Sequence, residues 1–589
     1  MSGFIFVAFL LIVILLIYRG IVENKRKEQN LREKFLKQFG KANSRVWKNG
    51  ELEKISYYAK RRETENLEMD TKCKYSTQTV DEITWNDLDM DSIYQQIAFT
   101  NSSLGDDYLY YLLKNPVTNQ CGLEEKVSEK IDETNNSRHK VSVLWKREAK
   151  IDYLSKNPEV RVNLQVLFAK LGRVKEYSFA KYFEHLLKEE PRSNTKHYTM
   201  DLLIIISVLL MIYNVGIGLV IFFFLILYNI ISYFKDKAYF EPYIASVRYL
   251  FKILDLAKDV VSVLPQEWKD EKDEVEKILN SMNKVRKNSF LVMSPGRMEG
   301  EGLELILDYL RMCFHLDIIK FNKMLTGIQQ YQNEVWKLFE ILGETDSCIA
   351  VACYRASMKK VCVPEFVQEK TVEMAEGYHP LVENPVTNSL RMDKNVLLTG
   401  SNASGKSTFL KTMGVNVILA QTIHTCLADK FRMPFCKIYT SMSLKDSIAL
   451  KESYYLAEIK AMKRILDSAA KGNMVICMVD EVLRGTNTVE RIAASTQILK
   501  SLSKENVLCM AATHDVELTR TLENEYDNYH FEESMEQDDV RFSYRLKTGR
   551  ANSSNAINLL ERLGYDHKLV KEAREMVNRF EQRGEWTCE

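Results

Sequence analysis

The sequence predicts a chain in two parts: an all-α N-terminal half with transmembrane helices, and a C-terminal α/β domain with a mostly parallel sheet. Before residue 370, apolar residues recur at three- and four-residue spacing, which is typical of helices. Long apolar runs interrupt this pattern twice. After residue 370, short apolar runs alternate with helical stretches, as in parallel strands joined by crossover helices. The first of these strands leads directly into a glycine-rich loop.

The composition is that of a folded protein of several domains. The chain has 589 residues, of which 46% are hydrophobic and 27% charged. Its formal net charge is +1, so any affinity for nucleic acid must come from local basic patches. The 11 cysteines show no CxxC spacing, which favours reduced thiols in a cytosolic compartment over a disulfide framework or a zinc site.

The first apolar run, Gly3 to Tyr18, is predicted to be a membrane anchor over residues 1–18. As a helix it would be about 24 Å long, slightly short for a hydrocarbon core of about 30 Å. The alternative is a cleaved secretory signal, which needs basic residues before the apolar run. Here the basic residues follow it, beginning with Arg19 and Lys25, so we expect the chain after the anchor to be cytoplasmic. Residues 19–80 form a charged, basic-leaning juxtamembrane segment.

The second apolar run, Met200 to Phe234, is predicted to be a transmembrane hairpin. A single helix of this length would need a tilt beyond the usual range, whereas two helices of about 25 Å with a break at residues 214–218 fit a bilayer. A hairpin also returns the chain to the cytoplasm, where Lys196, Lys235 and Lys237 flank it. The alternative is a buried helical hairpin in a soluble core. We therefore expect a multi-pass membrane protein in contact with the lipid bilayer, with its C-terminal domain in the cytoplasm.

The loop after the first strand matches the pattern GxxxxGK[ST], with a strand before it and a helix after it. In such a loop, successive backbone N–H groups point at phosphate oxygens, and the following helix adds its positive dipole end. Lys406 is expected to reach the β- and γ-phosphates, and the Ser407 hydroxyl to ligate Mg²⁺. The predicted ligands are ATP and Mg²⁺, bound by Gly400, Ser401, Asn402, Ala403, Ser404, Gly405, Lys406, Ser407 and Thr408.

Polar residues also end the next two predicted strands, at the sheet edge where an α/β sheet binds ligands. Asp480 and Glu481 follow the apolar run from Val475 to Val479. Asp480 is expected to hold Mg²⁺, and Glu481 to orient and deprotonate the attacking water. Thr513 and His514 follow the run from Val507, and His514 is predicted to sense the γ-phosphate. The alternative interpretation is that Asp480 and Glu481 lie in a solvent-exposed turn and that His514 has a structural role. The glycine-rich loop nearby favours the functional interpretation.

Five ordered elements give residues 375–575 a specific resemblance to the MutS family of DNA mismatch-repair ATPases. Thr399 to Thr408 resembles the family's TGxNxxGKST loop, and Asp480 to Thr486 with Thr513-His514 resembles its DExxRGT and TH elements. The remaining matches are His379-Pro380, the signature-like Ser453-Tyr-Tyr-Leu-Ala-Glu458, and the segment from Gly549 through Ser553 to Ile557. The resemblance implies an ATPase domain of the ABC-related P-loop class over residues 370–589.

The resemblance also implies a homodimer and several residue roles. Ser453 would complete the partner's nucleotide site in trans, and Asn402 would orient the γ-phosphate. Tyr544 falls where the family places a ring against adenine; its alternative role is that of a half-buried strand residue. A weaker resemblance, from Asp87-Leu88 through residues 101–113, identifies residues 81–369 as a MutS-like helical core and lever region, interrupted by the hairpin at 200–234.

The sequence departs from the family in three places. The segment before residue 81 is an anchor and a charged stretch, which leaves no room for the family's mismatch-recognition domain. The family's Asp-Gly after RGT is replaced by residues from Thr488 to Arg491, which puts communication across a dimer in doubt. The hairpin interrupts the region that soluble relatives use around DNA.

Together these features predict a membrane-tethered, Mg-dependent, MutS-like ATPase that binds DNA, with Glu481, Lys406 and His514 as catalytic residues. The alternative is a membrane-associated ABC-like ATPase that acts as a scaffold or remodelling machine without DNA. Against transport, the sequence has no LSGGQ-type signature and only about three spans.

Overall fold

The computed structural model describes the chain apart from residues 1, 70–78, 119–142, 175–177, 294–300, 402–403, 443–453, 485, 537–538, 552–556, 558–559, 562–563 and 584–589. The side chains of residues 2–17, 20–21, 65–69, 290, 293, 301–307, 454, 532–536, 539–541, 581 and 583 are also outside the description. The chain forms two compact units. The first comprises Met1–Glu65, Ile97–Tyr111 and Ala149–Ser357, and the second comprises Asn66–Gln96, Leu112–Glu148 and Met358–Glu589.

The described elements before residue 358 are helical. They are α1 (Ser2–Gln38), α2 (Glu51–Met69), α3 (Glu82–Asp87), α4 (Met90–Ile97), α5 (Ser103–Lys114), α6 (Val143–Lys156), α7 (Pro158–Leu171), α8 (Phe179–Lys188), α9 (Thr195–Tyr213), α10 (Val215–Val263), α11 (Lys269–Arg286), α12 (Phe290–Met293), α13 (Glu301–Phe314), α14 (Leu316–Gln330) and α15 (Gln332–Ser357). A short 3₁₀ turn, Gln266–Trp268, precedes α11. The large helical N-terminal region is therefore as predicted.

Aromatic side chains from three helices form part of the core of the first unit. Tyr58 of α2, Phe179 of α8 and Phe339 of α15 are buried, and their rings lie 4.6 to 5.4 Å from a neighbour in this group. Such ring pairs add a modest attraction to the large apolar area that they bury. They hold together helices that are far apart in the sequence.

A buried carboxylate ties α5 to α15 in the same unit. Asp346 of α15 accepts hydrogen bonds from the backbone N–H of Asn101 and of Ser102, each about 3.0 Å long, and one from the Ser102 hydroxyl at 2.7 Å. These are donors at the start of α5, which the helix itself leaves without partners. Gly105 allows the close approach, because a Cβ there would lie 2.2 Å from Asp346 Oδ2.

The second apolar run forms a helical hairpin that breaks at Asn214, inside the predicted interval. Helix α9 ends at Tyr213, and the Asn214 side chain caps α10 by accepting from the Ile217 N–H at 3.1 Å. Gly218 lets the two helices touch, because a Cβ there would lie 2.6 Å from Met211 N. The predicted length of the second helix is wrong. Helix α10 continues to Val263, because helical apolar spacing persists beyond Phe234 and Pro242 sits at an exposed position that needs no buried donor.

Among the described helices, α9 and α10 are long and apolar enough to cross a membrane, and only 17% of each apolar window is buried. Exposed apolar side chains cover both helices: Leu202, Leu203, Ile205, Ile206, Leu209, Ile212, Leu219, Val220, Phe223, Phe224, Leu227 and Ile231. The predicted anchor at residues 1–18 falls within α1, but the surroundings of its side chains lie outside the described residues. Further along α1, Phe35 packs against Val162 and Val166 of α7.

The second unit contains two sheets and the helices that cover them. Its strands are β1 (Glu365–Phe366), β2 (Val372–Gly377), β3 (Asn388–Met392), β4 (Asn395–Thr399), β5 (Lys430–Met433), β6 (Lys437–Ser441), β7 (Val475–Asp480), β8 (Val507–Ala512), β9 (Tyr526–Glu536) and β10 (Asp539–Thr548). Its later helices are α16 (Lys406–Ile423), α17 (Tyr454–Ala469), α18 (Thr488–Ser501), α19 (Val516–Thr521) and α20 (His567–Arg583).

The larger sheet is mixed, with strand order β10-β9-β4-β8-β7-β6. Strands β9, β4, β8, β7 and β6 run parallel to one another, and β10 is antiparallel to β9. The smaller sheet has the order β1-β5-β2-β3. Every residue of β4, β7 and β8 is buried, which explains why these strands read as continuous apolar runs. Their carboxyl ends lie at one edge and carry the glycine-rich loop, the acidic pair and the Thr-His pair.

Candidate nucleotide site

The glycine-rich loop connects β4 to α16 through two glycines in left-handed backbone conformations. Gly400 has φ +141° and Gly405 has φ +107°, values that residues with a Cβ rarely adopt. A Cβ on Gly400 would also lie 2.9 Å from Ser404 Oγ. Helix α16 begins directly after Gly405, so its first N–H groups face the inside of the loop. Asn402 and Ala403 lie outside the described residues, and their predicted contacts stay predictions.

The Lys406 ammonium lies at the centre of this loop. It is 5% exposed and donates to the carbonyl oxygens of Gly400 at 2.7 Å and Ser401 at 2.8 Å. Its Nζ is also 3.4 Å from His514 Nε2. A buried ammonium that donates to backbone carbonyl oxygens of the loop is well placed to receive an anion. The geometry therefore suits the predicted contact with phosphate oxygens.

Ser407 and Asp480 meet at the end of β7. The Ser407 hydroxyl donates to Asp480 Oδ2 at 2.5 Å, and Asp480 is 6% exposed. A hydroxyl and a carboxylate are the hard oxygen ligands that Mg²⁺ prefers, so these two side chains fit the predicted metal. Outside this pair, no group of three or more His, Cys, Asp or Glu side chains suited to a metal occurs among the described residues.

Glu481 forms ion pairs through both of its carboxylate oxygens. One carboxylate oxygen lies 2.9 Å from His514 Nε2, and the other lies 2.6 Å from Arg484 Nε. The hydrogen bond from His514 is the largest of several effects that lower the pKa of Glu481, so this carboxylate is ionised at neutral pH. Its backbone has φ +58°, a strained value for a residue with a side chain. Glu481 is thus a held, ionised carboxylate beside Lys406.

A cavity of about 630 Å³ brings these predicted residues together with others that the sequence did not indicate. Its predicted members are Ser401, Gly405, Lys406, Ser407, Thr408, Asp480, Glu481, His514 and Tyr544. Asn86, Asp87, Asp89, Lys411, Met442 and Arg484 also line it. The first three come from the segment of α3 and α4, more than 300 residues before the loop. The only sequence signal for them was the weak resemblance at Asp87-Leu88, which carried no site assignment.

Hydrogen bonds fix this N-terminal segment to the sheet edge. Asp87 Oδ2 accepts from Thr440 Oγ1 at 2.7 Å and from Met442 N at 2.9 Å, and the Thr84 hydroxyl accepts from Thr440 N. Burial raises the pKa of Asp87, and these hydrogen bonds oppose the shift. Asp89 forms an ion pair with Lys411 of α16 at 3.5 Å. The segment is thereby part of the wall of the cavity.

A second cavity of about 380 Å³ adjoins the glycine-rich loop and is lined by Gly405, Thr408, Phe409, Phe531, Tyr544, His379 and residues of the loop from Val382 to Asn388. Tyr544 lines both cavities and is 44% exposed, with φ +52° at an irregular point of β10. Its ring passes close to Gly405, where a Cβ would be 3.3 Å away. Burial lowers the pKa of His379 to about 4, so this imidazole is neutral. An exposed ring at the edge of this cavity can stack on a planar base.

The predicted residue Ser453 lies outside the described residues, which resume its segment at Tyr454 in α17. Its proposed role in a partner's site therefore stays a prediction.

The fold and the site define an α/β domain of the P-loop type, with the glycine-rich loop, the Ser407–Asp480 pair and the ionised Glu481 carboxylate at one sheet edge. Residues 396–581 match the family model MutS domain V, so this part of the chain is similar to that domain of the MutS family.

Curated relatives match the same region. The DNA mismatch repair protein MutS of Aquifex pyrophilus is 32% identical over 253 residues, which cover 41% of this chain and 29% of the relative. MutS of Lactobacillus johnsonii is 29% identical over 312 residues, 50% of this chain and 36% of the relative. Endonuclease MutS2 of Streptococcus thermophilus is 32% identical over 259 residues, 42% and 31% respectively. The chain spans about a third of the length of these relatives.

Proposed function

We propose that this chain is a membrane-tethered, Mg-dependent ATPase that binds DNA as a homodimer. One observation carries the ATPase proposal: Lys406, Ser407, Asp480, Glu481 and His514 converge on one cavity beside the glycine-rich loop. This convergence includes a cation for the phosphates, oxygen ligands for a metal and a carboxylate for water. Each of these groups has a distinct part in phosphoryl transfer.

Binding uses groups that already face the cavity. The loop N–H groups and the Lys406 ammonium take the phosphates, replacing the two carbonyl contacts that Lys406 makes. The base enters the second cavity and stacks on Tyr544, with the buried His379 behind it. Mg²⁺ held by Ser407 and Asp480 would supply positive charge to the phosphate oxygens.

Hydrolysis relies on Glu481 as the group that orients a water molecule and accepts its proton. A carboxylate that is ionised at neutral pH can do both. His514 lies between Glu481 and Lys406, at 2.9 and 3.4 Å, so it can transmit the presence of a terminal phosphate to the carboxylate. Arg484 holds the other oxygen and limits the rotation of the side chain.

The DNA and dimer proposals rest on the relatives. The MutS and MutS2 proteins named above are a mismatch-repair protein and an endonuclease by their names. Since this chain is close to neutral overall, DNA contacts would have to come from local basic patches, and affinity should fall steeply with salt.

The membrane proposal rests on the apolar surface of α9 and α10, which is too large for an ordinary soluble surface. Basic and aromatic side chains border this surface at Lys196, Tyr198, Lys235 and Tyr239, as at a membrane interface. The full chain should remain in the membrane pellet after a high-salt wash, and recovery in the supernatant would contradict tethering.

The ATPase and DNA proposals are tested together on the detergent-solubilised full chain. We expect ATP hydrolysis that requires Mg²⁺, and a change in its rate on adding duplex or branched DNA at low salt. Absence of magnesium-dependent ATP binding would overturn the whole proposal. Hydrolysis without any DNA binding would remove the DNA part alone and favour a protein scaffold, which a pull-down with nucleotide-trapped Glu481→Gln would identify.

A further inference from the structure

Glu458 is a buried carboxylate of the signature-like helix α17 that contacts the chain segment just after the general-base candidate. It is 3% exposed, and its Oε1 accepts from the Arg484 backbone N–H at 3.3 Å. Burial raises the pKa of Glu458, and the nearby backbone N–H groups of Leu483 and Arg484 oppose this shift. The Oε2 atom of Glu458 has no partner among the described residues. Burying a carboxylate with one unpaired oxygen costs desolvation free energy, so we expect Glu458 to have a specific role.

The segment that Glu458 holds is a strained turn. Glu481 and Leu483 both have φ +58°, although neither is glycine. Such conformations cost of order 1–3 kcal/mol each and persist only where surrounding contacts impose them. Three contacts do so here: Glu481 N donates to Ala512 O at 2.9 Å, the Ser495 hydroxyl donates to Val482 O, and Glu458 accepts from the far end of the turn.

Arg484, at the end of this turn, contacts the carboxylate of Glu481. The Arg484 guanidinium reaches Glu481 Oε2 at 2.6 Å and the Asp480 carbonyl at 3.3 Å. Because Glu458 holds the backbone of Arg484, it sets the point from which this guanidinium reaches Glu481. A shift of α17 would therefore move Arg484 and, through it, Glu481.

We propose that Glu458 is a positioning residue for hydrolysis: by holding the backbone N–H of Arg484, it fixes the point from which the Arg484 guanidinium meets the Glu481 carboxylate. The inference rests on the proposed function.

The test measures kcat and ATP affinity separately in full-length variants. We expect Glu458→Ala to lower kcat at least tenfold while the Kd for ATP stays within about threefold, because Glu458 does not line either cavity. Glu458→Gln keeps the acceptor oxygen and should recover most of the lost rate. Asp467→Ala, at an exposed position on the same helix, is the matched control.

A double variant separates positioning from general destabilisation. In a Glu481→Gln background, Glu458→Ala should add less than a twofold loss in single-turnover rate, since the carboxylate it positions is gone. A fully multiplicative loss, an unchanged kcat in Glu458→Ala, or a loss of kcat matched by an equal loss of affinity would each overturn the inference. Where Glu458→Ala does not fold, Glu458→Asp, which keeps the charge but withdraws the oxygen by one methylene, carries the same test. Absence of hydrolysis in the wild-type chain would instead overturn the proposed function.

Discussion

In the proposed mechanism Lys406 contacts the phosphates and Glu481 contacts the attacking water, so replacing each residue should separate nucleotide binding from hydrolysis. We expect Lys406→Ala to abolish productive ATP binding and Glu481→Gln to keep binding while slowing hydrolysis by roughly 100-fold or more. Equilibrium binding with a fluorescent ATP analogue and steady-state phosphate release measure the two effects. Lys471→Ala, an exposed lysine of the same unit, is the control. Wild-type turnover in Glu481→Gln would show that another group is the base.

Asp346 gives the helical unit a pH-dependent stability. Burial raises the pKa of Asp346 from 3.8 to about 6, against the hydrogen bonds from Ser102 and Asn101. The folded chain then binds more protons than the unfolded chain between these two values, so stability falls as the pH rises from about 4 to about 6. The total effect is up to about 3 kcal/mol.

Replacing Asp346 with Asn tests this expectation. Asp346→Asn loses some hydrogen bonds and should be less stable at pH 4, but the difference from the wild type should shrink as the pH approaches 7. Thermal unfolding followed by circular dichroism in detergent at several pH values measures that difference. A constant difference across the range would mean that Asp346 does not titrate there.

Part of the site could be predicted at the residue scale because its chemistry depends on local spacing. Lys406 and Ser407 follow from an eight-residue pattern, and Asp480 and Glu481 from their place after an apolar strand. The contacts of Arg484 could not be predicted, since they depend on the left-handed backbone at Glu481 and Leu483. Nor could Asp87, whose partner Thr440 lies 353 residues away.

At the scale of elements, the segment of α3 and α4 is joined to the helix that follows the phosphate loop. Leu88 is fully buried against Gly414 of α16, where a Cβ would lie 2.7 Å from Leu88 Cδ2. Gly414→Ala should therefore cost about 1–3 kcal/mol through overpacking, and Leu88→Ala about 2–5 kcal/mol through a cavity.

The double variant identifies this contact. With Leu88→Ala present, the methyl group of Gly414→Ala has room, so the combined loss should be clearly smaller than the sum of the two single losses. Chemical denaturation of the solubilised chain gives the three values. Strict additivity would mean that the two residues do not pack against each other in solution.

Helices and strands could be predicted where a single hydrophobic pattern runs along the whole element. Continuous apolar runs marked β4, β7 and β8, and the polar break at Asn214 marked the end of α9. The end of the apolar run did not predict the end of α10. The helix continues past the exposed apolar residues into a stretch whose side chains pack in the core, and its C-cap is only at Leu264. A strand around Tyr544 was one of the two interpretations of that residue, but the antiparallel direction of β10 was not predicted.

At the scale of the whole molecule, the depth at which the tip of the α9–α10 hairpin lies in the bilayer can be measured. From Tyr198 to Tyr213, helix α9 rises about 22 Å, which would place its tip well inside a hydrocarbon core of about 30 Å. Tyr213 is 92% exposed, so Tyr213→Trp should fold normally and report on its surroundings. In proteoliposomes, we expect this tryptophan to be quenched by lipids brominated on their acyl chains and protected from aqueous acrylamide, after subtraction of the wild-type signal.

Tyr198→Trp is the matched control, because it stands on the same helix at the polar border and is also exposed. It should be quenched mainly by bromines near the headgroups, in keeping with the preference of Trp and Tyr for the interface. If acrylamide instead reached the residue at 213 as freely as the residue at 198, the hairpin would lie outside the bilayer. Its apolar surface would then require a protein partner, and the anchor would rest on the N-terminal run of α1 alone.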